Sequence, residues 1–243
     1  MAARSQMAMS LGFHILFSVV GMALPVLMVI AQWRHLRSGN AAAGELSIRW
    51  AKGAALLFAV GAVTGTVLSF ELGLLWPRFM EQAGPLIGMP FSLEGFAFFT
   101  EAIFLGIYLY GREKLSPWLH WASGVVVAVS GLASGVFVMA VNAFMNAPAG
   151  FVVGADGAFV DVDLVAAFFN PAFKAEALHM SLAAYASVAF VVAGIHAWRL
   201  GGERDGSAGH AFHHEALRIV CSFAVVVVPL QLASGDVAAK LIA

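Results

Sequence analysis

Charged residues and cysteine are both scarce in this chain of 243 residues. Only 11% of the residues are charged and 61% are hydrophobic, whereas soluble domains have about 25% and about 45–50%. The net charge of −1 provides no basic surface, so no nucleic-acid partner is expected. The single cysteine, Cys221, excludes an intrachain disulfide and a paired-cysteine site. The mean hydropathy of +0.87 excludes a soluble enzyme.

Long apolar runs occupy most of the chain, and each exceeds the roughly 20 residues that a membrane-spanning helix needs. They lack the period-two alternation of a membrane β-barrel. The first run is longer than that of a signal peptide, so we expect it to be a retained span. The sequence therefore predicts an all-α, polytopic membrane helix bundle, a single domain over 1–243. Its six helices would lie at about 10–33, 50–75, 91–110, 118–145, 173–198 and 216–237.

The basic residues predict the orientation of the bundle, because Lys and Arg concentrate in cytoplasmic loops. Nine of them follow helices 1, 3 and 5, namely Arg34, Arg37, Arg49, Lys52, Arg112, Lys114, Arg199, Arg204 and Arg218. Four lie on the other side, namely Arg4, Arg78, Lys174 and Lys240. The N-terminus is therefore expected outside. The long loop 146–170 would also be outside, with Asp161 and Asp163 as solvated residues.

Few ionisable residues lie inside the predicted spans, where a charge costs roughly 2.5–3.5 kcal/mol on insertion scales. Such residues are functional candidates, and here they are His14, Glu71, Glu94, Glu101 and His179. We expect His120 and Asp236, at helix ends, to reach water. The remaining histidines, at inner loops or span ends, are expected to be solvated: His35, His196, His210, His213 and His214.

Four of the candidates, His14, Glu71, Glu94 and His179, would share the outer half of the bilayer. A buried prosthetic group would explain that common level, since imidazole is a ligand of haem iron. Glu94 and Glu101 would share one helix face, roughly 10 Å apart along the axis. Such a pair suggests a proton path. The alternative to a cofactor site is that the histidines are core residues with their hydrogen bonds made inside the protein. The alternative to a proton path is that both glutamates are neutral, hydrogen-bonded core residues.

The stretch Phe91–Glu101, with Glu94-Gly95 and a second glutamate at its end, resembles the third helix of subunit I of the cytochrome bd oxidase family. Arg4, Gln6 and His14 are spaced like the family's N-terminal arginine, glutamine and haem-ligand histidine. The fourth helix and its following turn are similar at Ser134, Asn142 and Pro148, and His179 is similar to the fifth-helix haem ligand. The resemblance covers nearly the whole chain.

The resemblance implies a terminal respiratory oxidase of the bacterial cytoplasmic membrane that oxidises quinol and reduces dioxygen to water. His179 would be a ligand of low-spin haem b. His14 would bind one haem of the high-spin pair, either a second haem b or haem d. Glu94 would be a ligand or proton donor there, and Glu101 the deeper step of cytoplasmic proton uptake. Arg4, Ser134 and Asn142 would line the cofactor site.

The family's subunit continues with further helices, whereas this chain stops at Ala243. The resemblance places the quinol-binding loop, the second ligand of the His179 haem and another high-spin haem ligand in that further part. The expected partners are membrane lipid, quinol, dioxygen and a second oxidase subunit. Alternatives are a haem-binding electron-transfer subunit without oxygen reduction, a cofactor-free proton transporter, and a fragment inactive alone. Glu71 receives no role.

Overall fold

A computed structural model describes residues 1–242, and Ala243, the last residue of the expected single domain, lies outside that range. Within 1–242, six helices are long and apolar enough to cross a membrane. The expected polytopic helical bundle is thereby confirmed. In chain order the elements are α1 (Ala2–Ser38), α2 (Ala41–Leu75), α3 (Pro77–Tyr110), α4 (Pro117–Asn146), β1 (Val152–Val153), β2 (Phe159–Val160), α5 (Leu164–Phe168), α6 (Phe173–Leu200) and α7 (Ala208–Ile242).

The helices extend beyond several of the predicted spans. The largest difference is at α3, which starts at Pro77 instead of about residue 91. Proline suits a first helical turn, because its missing N–H would be unpaired there in any case. With 34 residues, α3 is about 51 Å long, whereas the hydrocarbon layer is about 30 Å thick. In the helices that extend further, hydropathy therefore identified only the apolar part.

Short connections join the first helices. Gly39, at φ 69°, ends α1 in the left-handed conformation. The side chain of Asn40 then accepts a hydrogen bond from the backbone N–H of Ala43 at 3.1 Å and caps α2. Trp76 alone separates α2 from α3. Consecutive long helices consequently run in opposite directions, so α1 and α3 cross the bundle the same way.

The tightest packing lies towards the predicted inner end of the bundle. Helix α1 contacts α2, α4 and α6, and its buried residues all fall between Gly21 and Gln32. Leu27 and Met28 pack there with Leu46 of α2 and Val220 of α7. The first half of α1, which carries His14, is only partly buried.

The loop 146–170 folds over the predicted outer end. Strands β1 and β2 form an antiparallel hairpin, and α5 packs Ala167 against the apolar cluster of α3 and α4. The side chain of Asp163 accepts hydrogen bonds from the N–H groups of Val165 and Ala166, both at 3.0 Å. Asp163 is thus the N-cap of α5 and not merely a solvated loop residue.

Two histidines that we expected to meet water are buried. His120, 2% exposed, accepts a hydrogen bond at Nδ1 from Gln32 Nε2 and donates from Nε2 to the carbonyl of Tyr108, both at 2.7 Å. His196, 7% exposed, accepts at Nε2 from Trp50 Nε1 at 3.3 Å. Both expectations were wrong, because neighbouring helices extend far enough to cover these helix ends.

Candidate functional site

His14 lies between α1 and α2, half-buried, with its ring against the α2 backbone. Its Nδ1 is 2.8 Å from Thr64 Oγ1. That hydroxyl lies 2.9 Å from the carbonyl oxygen of Val60 and 3.1 Å from that of Gly61. Oγ1 can donate its one hydrogen to a carbonyl while it accepts from the ring, and in that arrangement Nδ1 carries the proton. Nε2 of His14 then holds the lone pair.

His179 has the same arrangement between α6 and α7. Its Nδ1 is 3.1 Å from Ser234 Oγ, which donates to the carbonyl oxygen of Gln231 at 3.0 Å. The side-chain amide of Gln231 is 3.3 Å from both ring nitrogens. If the amide nitrogen lay in the ring plane at 3.3 Å from both ring nitrogens, it would collide with Cε1 of His179. The amide therefore lies over the face of the ring. Among residues 1–242, Nε2 of His179 has no other hydrogen-bond partner.

A glycine follows each of these hydroxyl residues in the sequence, Gly65 after Thr64 and Gly235 after Ser234. The edge of the imidazole ring packs against this glycine. A Cβ atom at Gly65 would lie 3.1 Å from Cε1 of His14, and one at Gly235 would lie 3.1 Å from Cε1 of His179. Glycine allows this approach because it has no Cβ. Neither of these neighbours was identified from the sequence.

The two glutamates of α3 both face α4. Ser134 Oγ donates to Glu94 Oε1 at 3.2 Å. Glu101, 5% exposed, lies against Gly131, where a Cβ would be 3.2 Å from Oε1. The predicted common face of Glu94 and Glu101 therefore exists, and Ser134 is in contact with the first of them.

His14 and Glu94 lie at a similar level of the bundle. A Cβ at Gly21 of α1 would be 4.0 Å from Oε1 of Glu101, so these two residues are level with each other. His14 precedes Gly21 by seven residues, and Glu94 precedes Glu101 by seven. Since α1 and α3 run the same way, both lie about 10 Å further towards the predicted outer end.

The other predicted site residues have fewer contacts. Arg4 is exposed, and the described residues give it no ion pair. Asn142 is exposed and accepts a hydrogen bond from Asn146 Nδ2 at 3.3 Å. The structure therefore brings neither side chain to His14 or His179.

Glu71 is buried at 7% exposure near the start of α1. Its Oε1 accepts hydrogen bonds from Gln6 Nε2 at 3.0 Å and Ser10 Oγ at 2.8 Å. Its Oε2 is buried without a hydrogen-bond partner in the described part of the chain. These partners of Glu71 were not predicted, because Gln6 and Ser10 are ordinary polar residues near a chain terminus.

The ligand chemistry at His14 and His179 fits haem iron. A haem needs one or two axial side chains from the protein, and a ligating histidine usually donates its other ring N–H to a nearby acceptor. In both histidines Nδ1 lies within hydrogen-bonding distance of a hydroxyl oxygen that can accept such a proton. Among residues 1–242, no group of three or more His, Cys, Asp or Glu side chains is arranged to hold a bare metal ion.

The chain matches the family model described as cytochrome bd terminal oxidase subunit I over residues 2–243. It belongs to the cytochrome bd terminal oxidase subunit I family. The resemblance noted from the third helix and the N-terminal residues is thereby confirmed. The match spans all six long helices, so the chain is a multi-pass membrane member of this family.

Known members of the family agree in sequence and fold. The bd oxidase structure from Geobacillus thermodenitrificans superposes with a TM-score of 0.93 at 38% identity, covering 99% of this chain and 55% of that one. A putative cytochrome bd menaquinol oxidase subunit I from Bacillus subtilis is 35% identical over 99% of this chain and 54% of its own. The cytochrome bd-II ubiquinol oxidase subunit 1 of Escherichia coli is 27% identical over 83% and 40%. The chain thus spans about half the length of the curated relatives it matches.

Proposed function

We propose that the chain is the haem-bearing part of a terminal respiratory oxidase that transfers electrons from quinol to dioxygen, giving water. The observation that carries this proposal is the paired arrangement of His14 and His179. Each has Nδ1 occupied by a hydroxyl that itself donates to a helix backbone. That arrangement leaves the Nε2 lone pair for haem iron, since a ligating histidine binds through one ring nitrogen and donates a hydrogen bond from the other.

In this proposal His179 binds low-spin haem b and His14 binds one haem of a high-spin pair, either haem b or haem d. When bound, these groups supply the iron centres that carry electrons and reduce dioxygen. Glu94, level with His14, lies at the high-spin pair as a ligand or proton donor. Membership of the family and the 0.93 TM-score to a bd oxidase support these assignments.

Proton uptake is assigned to the face of α3 that lies against α4. Glu101 is deeper in the bundle and receives the proton from the cytoplasmic side. Glu94 is about 10 Å further along the same face, so water molecules would relay the proton between the two carboxyl groups. Ser134 holds Glu94 towards α4 through its hydrogen bond at 3.2 Å.

The remaining roles follow from the family. Arg4, exposed near the predicted outer surface, pairs with a haem propionate through its planar guanidinium, and Asn142 is the other polar residue of that outer level. The chain works with a second oxidase subunit, quinol and membrane lipid in the bacterial cytoplasmic membrane. The relatives' names, menaquinol or ubiquinol oxidase subunit I, support a quinol donor and a partner subunit.

Replacement of His179 tests the proposal. In the purified oxidase complex, His179→Ala should abolish the reducible low-spin haem b signal in the reduced-minus-oxidised optical spectrum. His14→Ala should leave that signal and remove intensity from the high-spin pair. The exposed His214 provides a control, because His214→Ala should leave both signals unchanged. A low-spin signal that survives His179→Ala would refute the assignment, and a colourless complex would favour a cofactor-free proton transporter.

A further inference from the structure

The same local structure supports both candidate haem-ligating histidines, although they lie on different helix pairs. Thr64 and Gly65 of α2 contact His14, and Ser234 and Gly235 of α7 contact His179. In each case the hydroxyl is 2.8–3.1 Å from Nδ1. The next residue is a glycine whose Cβ would be 3.1 Å from the ring carbon Cε1.

The hydroxyl groups bear on which ring nitrogen carries the proton. The hydrogen of Thr64 Oγ1 goes to a carbonyl of α2, and that of Ser234 Oγ goes to the carbonyl of Gln231. With its hydrogen used in this way, each oxygen accepts from the ring. This directs the proton to Nδ1 and the lone pair to Nε2. The glycine lets the ring approach closely enough for that hydrogen bond.

Other hydroxyl side chains show that helix geometry alone does not produce this contact. Thr66 and Ser69, also on α2, donate to the carbonyls of Ala62 at 2.9 Å and Gly65 at 3.3 Å. Both are exposed, and neither has a hydrogen bond to a histidine in the described part of the chain. Thr64 differs because its oxygen also meets His14.

We propose that Thr64 and Ser234 are positioning residues that fix the tautomer and orientation of His14 and His179, so that Nε2 of each histidine binds haem iron. The inference rests on the proposed function. A hydrogen bond from Nδ1–H raises the basicity of the ligating nitrogen. A more basic ligand stabilises ferric over ferrous iron and lowers the reduction potential of the haem. Loss of the hydroxyl therefore raises that potential.

The test compares hydroxyl-free and hydroxyl-retaining variants in the purified, haem-loaded oxidase complex. Thr64→Val and Ser234→Ala remove the acceptor, whereas Thr64→Ser and Ser234→Thr keep it. Redox titration followed by optical spectroscopy measures the reduction potential of each haem, and extraction measures haem content. We expect higher potentials in the first pair, with haem affinity weakened roughly 10–100-fold. The second pair should be close to the unsubstituted protein.

Two exposed hydroxyl residues serve as matched controls. Thr66→Val on α2 and Ser222→Ala on α7 remove a hydroxyl from the same helices without touching either histidine. Their potentials and haem content should equal those of the unsubstituted complex. Equal shifts in control and test variants would indicate a general effect of losing a hydroxyl and would overturn the inference.

The outcome separates this inference from the proposed function. If His179→Ala abolishes the low-spin signal but Ser234→Ala leaves the potential unchanged, the ligand assignment stands and the positioning role is refuted. If His179→Ala leaves the signal intact, the proposed function itself fails. A shift that Thr64→Ser does not reverse would overturn the role of the Thr64 hydroxyl, because the serine retains the acceptor.

Discussion

Replacement of Gly131 by alanine would test whether the buried carboxyl group of Glu101 needs the space that α4 leaves for it. The new Cβ would lie 3.2 Å from Oε1 and 3.3 Å from both Cδ and Oε2 of Glu101. Ordinary van der Waals contacts begin at 3.4 Å, so the carboxyl group must move by a few tenths of an ångström. Such a movement would displace the proposed proton-carrying group from its place on α3.

The expected size of the effect follows from two opposing contributions. Overpacking of a well-packed site costs about 1–3 kcal/mol, and glycine to alanine in a helix gains about 0.8–1.0 kcal/mol. The net loss of folding stability should therefore be about 0–2 kcal/mol, which leaves the protein folded. If about 1 kcal/mol of this strain raises the barrier to proton delivery, oxygen reduction should slow by roughly fivefold.

Gly106 on α3 provides the matched control, because a Cβ there would meet no atom within 4 Å. Gly106→Ala should gain helix stability and keep full turnover. Oxygen consumption by the purified complex, normalised to haem content, measures the rate, and a thermal melt in detergent measures stability. Equal turnover and equal melting temperature in the two variants would refute the reasoning that Glu101 is confined by Gly131.

Three further substitutions test other contacts. Glu101→Gln should slow oxygen reduction at unchanged haem content, because an amide cannot carry the proton; full turnover in an oxygen-electrode assay would exclude a proton role. Gln32→Leu removes the donor to buried His120 and should cost about 1–3 kcal/mol, measured by thermal unfolding in detergent. Glu215→Ala removes the acceptor of Arg34 Nε at 2.6 Å and should cost about 1.5–3 kcal/mol in the same assay.

Matched surface substitutions control these three experiments. Glu113→Gln and Gln82→Leu make the same chemical changes at an exposed glutamate and an exposed glutamine, and they should alter neither turnover nor stability. Glu45→Ala breaks an exposed ion pair with Arg49, which is worth about 0.3–0.5 kcal/mol. A loss at Glu215 no larger than that at Glu45 would contradict the role assigned to burial.

Hydropathy was sufficient to predict the six membrane helices, because a bilayer requires long apolar segments with internally bonded backbones. The full helix lengths were missed where polar residues continue a helix beyond the apolar layer. The charged residues Arg78 and Glu81 lower the hydropathy at the beginning of α3, so the prediction began too late. Pro77 is nevertheless a residue typical of a helix start. The burial of His120 and His196 was missed because it depends on the neighbouring helices, which periodicity does not reveal.

The sequence was sufficient to predict those residues of the candidate site whose charge is energetically unfavourable within a membrane span. A histidine or glutamate within a span is rare enough to be noticed, so His14, His179, Glu94 and Glu101 were identified. Their neighbours were not, because a hydroxyl residue followed by glycine is common in membrane helices. The same pair occurs at Ser123–Gly124 and Ser130–Gly131 of α4. Only the fold shows which of these pairs meet an imidazole.

The outer hairpin offers a place at which the polypeptide could be divided. Its turn, with Gly157 at φ 82°, joins two strands of only two residues each, and all four helices before it are complete. Co-expression of two separate pieces, one ending and the other beginning at this turn, would interrupt no transmembrane segment. Their reassembly in a bilayer would then report how strongly α6 and α7 associate with the first four helices without a covalent link.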